Sequence, residues 1–326
     1  MKYFHIKISM LLSLFLLMGC QQNKQTEKLF SEQRIIQSAI QGEKSKGQKI
    51  VYSNSPEKII NASFSLKGKN ANSWRVEYTS QNEVKNKDSV AFFVFFEPIA
   101  NFIGIAQDTL ILTMEHMEIV YSLKGLSTKA LEGNNEPPLA DVVTTLGYAI
   151  NLGWTDLANH VLPDLQGDEL PPSLFQKIGP GKVYMTPVAR YSPPFSLPFG
   201  YYTSLKDTIV KHQVGVLEGS EIYPEHQTLY PALAQGKNSF DPKDKLFGFY
   251  TTSPSHDAYS EDKWNAIWFK ENVAHAARIY EVKNAEGSII SGQYLVCFEE
   301  ASNGDYQDYV FLLENITAVA IKDSEE

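Results

Sequence analysis

The amino-acid sequence predicts a mostly β protein, with two β-sandwich-like domains in tandem and short helical insertions. Short runs rich in β-branched and aromatic residues recur at intervals of about 8–12 residues, a spacing typical of β-sandwiches. The 326 residues are enough for two ordinary domains. The composition is 43% hydrophobic and 12% aromatic, which supplies material for folded cores and excludes a mostly disordered chain.

Charge and cysteine content exclude two further classes of protein. The formal net charge is −9, and phosphate binding needs a basic face, so we expect no nucleic-acid partner. The two cysteines, Cys20 and Cys297, allow at most one disulfide, so the chain is not a disulfide-stapled scaffold. Cys297 lies in an apolar, strand-like run, and we expect it to be a core residue.

Residues 1–19 are predicted to be a lipoprotein signal peptide. Lys2 and Lys7 supply a basic start, and the apolar stretch 8–18 is too short for a transmembrane helix. The stretch ends in a glycine followed directly by Cys20, which resembles the bacterial lipobox, where the cysteine is lipidated before cleavage. The resemblance implies lipidation of Cys20 and attachment to a membrane; the alternative is an ordinary signal peptide with a chance cysteine.

Residues 20–42 are predicted to be the lipid-anchored N-terminus and a polar tether. They are polar and contain glycine, as a flexible spacer would. A short helix over 26–40, capped by Thr26 and stopped by Gly42, is the alternative.

Residues 43–130 are predicted to form the first domain, an immunoglobulin-like β-sandwich. The run 89–96 is apolar at successive positions, so we expect it to be a central strand. Six runs in this domain are predicted strands: 49–52, 59–66, 74–78, 90–96, 109–114 and 118–123.

The segments 94–98, 104–107, 110–112 and 121–125 follow one another in an order that resembles a known domain type. It is the immunoglobulin-like ASH type, also named choice-of-anchor, of bacterial secreted proteins. The resemblance covers about 80 residues and implies a spacer or interaction module rather than an active site.

Residues 131–209 are predicted to be a proline-rich extension with a short helix. The apolar spacing over 139–150 favours a helix that Gly147 ends or weakens. Prolines then recur as far as Pro198, which excludes long helices and suits loops and edge strands. The run 182–186 is a predicted strand.

Residues 210–326 are predicted to form a second β-rich domain. Predicted strands lie at 213–217, 246–251 and 278–282, and the apolar runs 294–298 and 309–312 flank an acidic loop, which predicts a hairpin. The segment 294–312 resembles the end of bacterial modules named domain of unknown function 4114, and segments upstream of it occur in the same order. Together with the lipobox at Cys20, these two resemblances imply a bacterial lipoprotein of Bacteroidota type, located in the cell envelope at the outer membrane.

The acidic loop of this hairpin is the candidate metal site. Calcium takes about 6–8 hard oxygen ligands, and carboxylates are the side chains that supply them. The positions that match the acidic positions of the resembling module are Glu299, Asp305 and Asp308, and Glu300 and Asn303 are second choices. Calcium is therefore the expected cofactor; the alternative is a solvated acidic hairpin without a metal.

No catalytic signature appears in the sequence, which lacks a GxSxG elbow, a P-loop, a Rossmann fingerprint and a histidine–cysteine metal cluster. The expected function is therefore non-enzymatic: a lipid-anchored envelope protein that binds a glycan or an envelope protein. Trp264 and Trp268 offer aromatic surface for sugar binding, although core packing is the commoner fate of such residues. The alternatives are an envelope carbohydrate-active enzyme with a site in residues 160–240, or a purely structural spacer.

Overall fold

The structure is a computed structural model, and the residues it describes are 33–53, 62–79, 89–114, 117–157, 164–205, 208–243, 245–254, 256–265, 275–301 and 303–319. The predicted signal peptide and the predicted lipidation site Cys20 lie outside these residues. Antiparallel sheets dominate, and the described helices are two short ones, so the mostly β prediction is confirmed.

Two sheets formed between residues 33 and 128 face each other across an apolar core. One has the strand order β1-β7-β6-β3 and the other β2-β5-β4. The strand bounds are β1 (Gln33–Ile40), β2 (Gln48–Ser53), β3 (Ser63–Lys67), β4 (Trp74–Tyr78), β5 (Ser89–Phe96), β6 (Gly104–Met114) and β7 (Met117–Thr128).

Strand β5 shows how the sequence builds this sandwich. It lies between β2 and β4, as predicted for a central strand. Its burial alternates, with Phe92, Val94 and Phe96 fully buried in the core between the sheets. A strand turns successive side chains to opposite faces, so only every second residue of this aromatic run enters the core.

From Gln33 onward, strand β1 corrects the prediction of a tether over residues 20–42 and the alternative of a helix over 26–40, and residues 20–32 lie outside the described residues. Residues Gln33–Ile40 pair in parallel with β7 along the whole strand. Every second side chain from Ile35 to Ala39 is buried, a period of two that fits a strand and not a helix. Pairing with β7 also supplies hydrogen-bond partners for the backbone of β1, which a tether would leave to water.

The rest of the chain builds a second sandwich and two short helices. One sheet has the order β13-β11-β10-β15-β16, and the other has the order β12-β9-β19-β18-β17 with β14 also pairing with β9. The bounds are α1 (Leu139–Leu146), β8 (Leu174–Lys177), β9 (Val183–Arg190), β10 (Leu197–Leu205), β11 (Thr208–Leu217), β12 (Thr228–Leu229), β13 (Leu233–Gly236), β14 (Ser239–Phe240), β15 (Gly248–Thr252), β16 (Asp257–Tyr259), α2 (Asp262–Asn265), β17 (Ala277–Lys283), β18 (Ile289–Phe298), β19 (Tyr309–Glu314) and β20 (Ile316–Val319).

The boundary predicted between residues 209 and 210 is wrong, because it cuts through a strand pair. Strand β10 comes from the predicted extension and pairs with β11 from Leu197↔Leu217 to Leu205↔Thr208. Strand β9 of the same extension pairs with β19. The extension therefore contributes strands to both sheets of the second sandwich. Composition had marked it as separate, but prolines are tolerated at strand irregularities, and Pro187 lies beside such a register shift.

The second half of strand β18, residues 294–298, is buried on both faces. Val296 and Phe298 point into the core between the two sheets of the second sandwich. Leu295 and Cys297 point into a second core, which is closed by α1. Cys297 is fully buried, and burial raises the pKa of its thiol, so its prediction as a core residue is confirmed.

Helix α1 ends where the sequence predicts. Gly147 follows its last residue in the left-handed region at φ +91°, a conformation that glycine adopts without strain. Its apolar residues belong to the second core, together with residues of β17 and β18 and with Leu126 of β7. The described residues from Gln33 onward form one compact unit.

Candidate metal centre

The loop between β18 and β19 folds inward rather than into solvent. The last pair of the hairpin is Phe298↔Tyr309, so the acidic segment forms the connection itself. Three of its carboxylates are almost completely buried, with exposures of 0% for Glu299, 4% for Asp305 and 5% for Asp308. One oxygen of each lies within 4.8 Å of the others, so the structure brings the three predicted ligands together.

Backbone N–H groups hold Glu299 in place. Ala301 N–H donates to Oε1 at 2.9 Å, and the N–H groups of Asp305 and Tyr306 donate to Oε2 at 3.0 and 3.3 Å. The loop thus wraps around its own first carboxylate. This arrangement satisfies several backbone donors that a buried loop would otherwise leave without partners.

The aspartates are held by fewer groups. Glu300 N–H donates to Asp308 Oδ2 at 2.7 Å, and the Asn303 amide donates to Asp305 Oδ2 at 2.7 Å. The second oxygen of Asp305, Oδ1, is buried and has no hydrogen-bond partner among the described residues, and neither has Gln307 Oε1. Buried oxygens without partners are uncommon in proteins, and an unrecorded ion is one of the standard explanations.

The electrostatics of the triad disfavour three ionised carboxylates without a compensating charge. Burial, followed by repulsion from Asp305, raises the pKa of Glu299 to about 7. Burial also raises the pKa of Asp305, and burial together with repulsion from Glu299 raises that of Asp308 well above its ordinary value. A divalent cation would remove both the repulsion and the unpaired charge.

Glu136, from the linker before α1, is a neighbour of this site that the sequence did not indicate. Its Oε2 accepts from the Gln307 amide at 3.0 Å, and its Oε1 accepts from the Gln227 amide at 2.6 Å. Burial, with repulsion from Asp305 next, raises the pKa of Glu136 to about 8. Glu136 and Gln307 are 171 residues apart, so no local pattern links them.

Glu300 and Asn303, the second-choice ligands, are not part of the triad of converging carboxylates. Glu300 accepts a short hydrogen bond from the Tyr309 hydroxyl. Asn303 is exposed and orients Asp305 through its amide. Gln307 offers the better amide oxygen, since it is fully buried and Oε1 has no partner among the described residues. The sequence contained Gln307 in the same loop but gave no reason to prefer it.

Arg190 supplies positive charge on one side of the loop. It is 4% exposed, and the negative charges of Glu300 and Asp308 act on it. Its guanidinium donates to the backbone carbonyls of Glu218, Pro193 and Phe195 at 2.6, 2.6 and 2.5 Å. Arg190 is thus oriented by the backbone rather than bound in a direct ion pair with the triad.

A second buried charge network lies next to the loop. Glu169 is bonded to the Arg278 guanidinium, and His275 Nε2 is 2.5 Å from Glu169 Oε1. His275 Nδ1 is 3.1 Å from the Asp262 carboxylate, and the Tyr306 hydroxyl donates to the His275 carbonyl at 2.8 Å. Burial alone would lower the pKa of His275, but the Asp262 and Glu169 carboxylates raise it to about 9. His275 is therefore held on both ring nitrogens as part of this buried network.

The donor set fits a hard divalent cation. All candidate ligand atoms are oxygens. Among the described residues the cysteine is Cys297, which is buried in a core and does not belong to the triad, so the site offers no thiolate for a softer metal. Two oxygens bound to one calcium ion at about 2.3–2.6 Å lie at most about 5.2 Å apart. The 4.8 Å limit within the triad meets this condition.

The described residues include only part of the predicted sugar-binding surface and of the range predicted for an enzyme site. Trp264 is half-buried and donates to Glu261 Oε2 at 3.2 Å, while Trp268 lies outside the described residues. In the range 160–240, where the enzyme alternative places its site, the fully buried Glu169 side chain is engaged by His275 and Arg278. None of the helices in the described part of the chain is long and apolar enough to cross a membrane.

Comparison with known proteins adds no family assignment. No protein-family model matches the chain, and no curated protein matches it. The resemblances to ASH-type domains and to domain of unknown function 4114 therefore stay predictions from the sequence.

Proposed function

We propose that the chain is a non-catalytic, lipid-anchored protein of the bacterial cell envelope, at the outer membrane, that binds a glycan or protein partner and is stabilised by calcium. The lipidation signal at Cys20 supports the anchor, and the tandem sandwiches support a binding role. The observation that carries the calcium part is the convergence of Glu299, Asp305 and Asp308 in the interior.

Calcium is proposed over other cations because of the ligand chemistry. The carboxylates and the free oxygen of Gln307 are hard donors, which suit calcium and magnesium. Magnesium requires near-octahedral geometry and keeps several waters, whereas calcium accepts irregular protein cages. A buried, mostly carboxylate loop favours calcium. Extracellular calcium modules typically have dissociation constants of about 10⁻⁴–10⁻³ M.

Calcium is expected to raise the melting temperature of the full chain by a few degrees. At a calcium concentration tenfold above the dissociation constant, binding to the folded state alone raises the free energy of unfolding by about 1.4 kcal/mol. Thermal melts in EDTA and in millimolar calcium, at matched ionic strength, measure the difference. The variant Asp305→Ala/Asp308→Ala should lose it.

The matched control is Glu118→Ala/Glu286→Ala, which removes two exposed carboxylates and should keep the calcium response. Equal melting temperatures of the wild type with and without calcium would contradict the calcium proposal. Magnesium at the same concentration should give a smaller shift.

The calcium response should grow with pH. The pKa of Glu299 is raised from an ordinary value of 4.5 to about 7, so its ionised form is disfavoured in the folded protein. Without calcium, stability from this group therefore falls as the pH rises from about 4.5 to about 7 and stays low above that. Calcium binds the ionised form, so the difference in melting temperature should be small at pH 5 and complete at pH 8. A response that is equal at both pH values would show that the bound ion is not held by this triad.

A further inference from the structure

A carboxylate in the linker between the two sandwiches joins two buried glutamines from distant parts of the chain. Glu136 lies in the linker 129–138, which follows β7 and precedes α1. Its Oε2 accepts from the Gln307 amide of the acidic loop at 3.0 Å, and its Oε1 accepts from the Gln227 amide at 2.6 Å. Gln307 is 0% exposed and Gln227 is 8% exposed, so both amides have exchanged water for this carboxylate.

The Gln307 side chain lies beside the triad as well as beside Glu136. Burial raises the pKa of Asp305, and a hydrogen bond with the Gln307 side chain opposes the shift, so the amide is next to that carboxylate. Glu136 holds the amide nitrogen, which leaves Oε1 as the end with no partner among the described residues. Asp305 Oδ1 is likewise buried without a partner there. Two such oxygens in neighbouring side chains indicate a ligand that the loop itself does not supply.

Gln227 extends these contacts to the backbone of the linker. Its Oε1 accepts from the Glu132 N–H at 2.7 Å, and the Glu132 carboxylate lies 3.2 Å from His226 Nε2. Glu132 and Gln227 have φ angles of +62° and +49°, a backbone region that few residues other than glycine occupy and that persists only where surrounding contacts impose it. The linker is therefore held in its path by the same side chains that reach the acidic loop.

Contacts behind a metal ligand affect the metal itself. Partners that orient the ligands of a metal fix their geometry, and substitution of such a partner typically costs about 10–100-fold in metal affinity. Glu136 occupies this position relative to Gln307, although it comes from outside the acidic loop. The linker that carries it ends at α1, whose apolar residues belong to the second core.

We propose that Glu136 is a positioning residue of the metal centre, which orients the Gln307 amide so that Oε1 faces the ion and, through Gln227, couples calcium binding to the order of the linker 129–138. The inference rests on the proposed calcium site and adds to it a residue from outside the loop and a consequence for the linker. Coupling between two parts of a protein is reciprocal, so contacts that calcium strengthens in the linker also raise the affinity for calcium.

The first test measures the calcium affinity of the full chain in detergent, from melting temperatures over a series of calcium concentrations. Glu136→Gln keeps the size of the side chain, but its amide nitrogen cannot accept a hydrogen bond, so the affinity should fall about tenfold. Gln307→Leu should cause a similar loss. Gln227→Leu should cost a few-fold, because it acts one contact farther from the ion.

The matched control is Gln293→Leu. It removes a hydrogen bond of the same kind, from the Gln293 amide to Glu314 Oε1 at 3.1 Å, at the end of the β18–β19 hairpin opposite to the acidic loop. Its calcium affinity should equal that of the wild type. Melting temperatures in EDTA show whether each variant is folded.

The double variant Glu136→Gln/Gln307→Leu shows whether Glu136 acts through Gln307. If it does, the double variant should bind calcium about as well as Gln307→Leu alone, because the contact that Glu136 controls is already absent. A further loss of about tenfold would show that Glu136 acts through its charge alone, and would overturn the positioning role.

The second test requires no substitution. Hydrogen exchange of the wild type is measured in EDTA and in saturating calcium. The N–H of Glu132 donates to Gln227 Oε1 and that of Glu136 donates to the Gly133 carbonyl at 3.0 Å, and both should exchange several-fold more slowly with calcium. The N–H of Ser73, which donates to the Asn70 carbonyl at 2.8 Å in the first sandwich, is the control and should not respond.

Weaker calcium binding by Glu136→Gln but not by Gln293→Leu, together with slower exchange in the linker, would support the inference. Calcium binding by Glu136→Gln that equals the wild type, or linker exchange that calcium leaves unchanged, would overturn the inference and leave the calcium site standing. A wild type that binds no calcium would overturn both. If Glu136→Gln does not fold, the exchange experiment on the wild type decides.

Discussion

Replacing Glu169 by alanine is expected to lower the free energy of unfolding by about 3–5 kcal/mol. The Glu169 side chain is fully buried and is the shared partner of Arg278 and His275. Arg278 is itself fully buried, with its guanidinium 5.1 and 4.7 Å from the ring centroids of Trp154 and Tyr306. Loss of the carboxylate removes a counter-charge from both of these buried cationic groups.

Thermal or denaturant melts at pH 7 measure this effect. At about 2–4 °C per kcal/mol, the melting temperature should fall by roughly 10 °C. The neighbouring Asp168→Asn is the control, because Asp168 is 28% exposed and pairs with the partly exposed Lys283 at 2.7 Å. Surface pairs of this kind contribute little, so its melting temperature should stay close to that of the wild type. Equal effects of the two substitutions would show that the buried network does not stabilise the fold.

The same network has a defined pH dependence. The pKa of His275 is raised from 6.5 to about 9. A base whose pKa is raised stabilises the fold while it is protonated in both states, so the contribution is complete below about pH 6.5 and is lost as the pH rises through about 9. The calcium response, in contrast, should grow as the pH rises through the pKa of Glu299 at about 7.

Replacing Arg190 by methionine is expected to destabilise the protein by about 3–5 kcal/mol. The substitution removes charge-assisted hydrogen bonds to three backbone carbonyls and one to the Ser192 hydroxyl at 2.9 Å. Such bonds contribute about 1.5–3 kcal/mol each, and the apolar replacement regains part of the loss by burial. It also removes the positive charge that acts on Glu300 and Asp308.

The readout has two parts, the melting temperature in EDTA and the size of the calcium response. The first should fall by roughly 10 °C. The second should rise, because the carboxylates lose a compensating charge and gain more from the cation. Arg75→Met is the matched control, since Arg75 is 59% exposed and pairs with Glu77 on the surface. A calcium response that is unchanged in Arg190→Met would show that the charge of Arg190 does not affect the candidate metal site.

The features that the sequence determined are the local ones. The run 74–78 is strand β4 from Trp74 to Tyr78, and Gly147 ends the helix that the apolar spacing predicted. The hairpin of β18 and β19 and the three acidic positions of its loop were also predicted, and the structure brings Glu299, Asp305 and Asp308 together. In each case the periodicity, the breaker residue or the ligand types lie within about twenty residues of one another, so the signal is contained in one segment.

The features that only the tertiary structure decided depend on partners far away in the chain. Residues Gln33–Ile40 become a strand because β7 offers them an unpaired edge, and β10 belongs with β11 because their backbones pair across the predicted boundary. Glu136 joins the acidic loop from 171 residues away. Backbone pairing and burial of polar groups are decided by which elements meet in the folded chain, and sequence separation leaves no local pattern that would indicate such meetings.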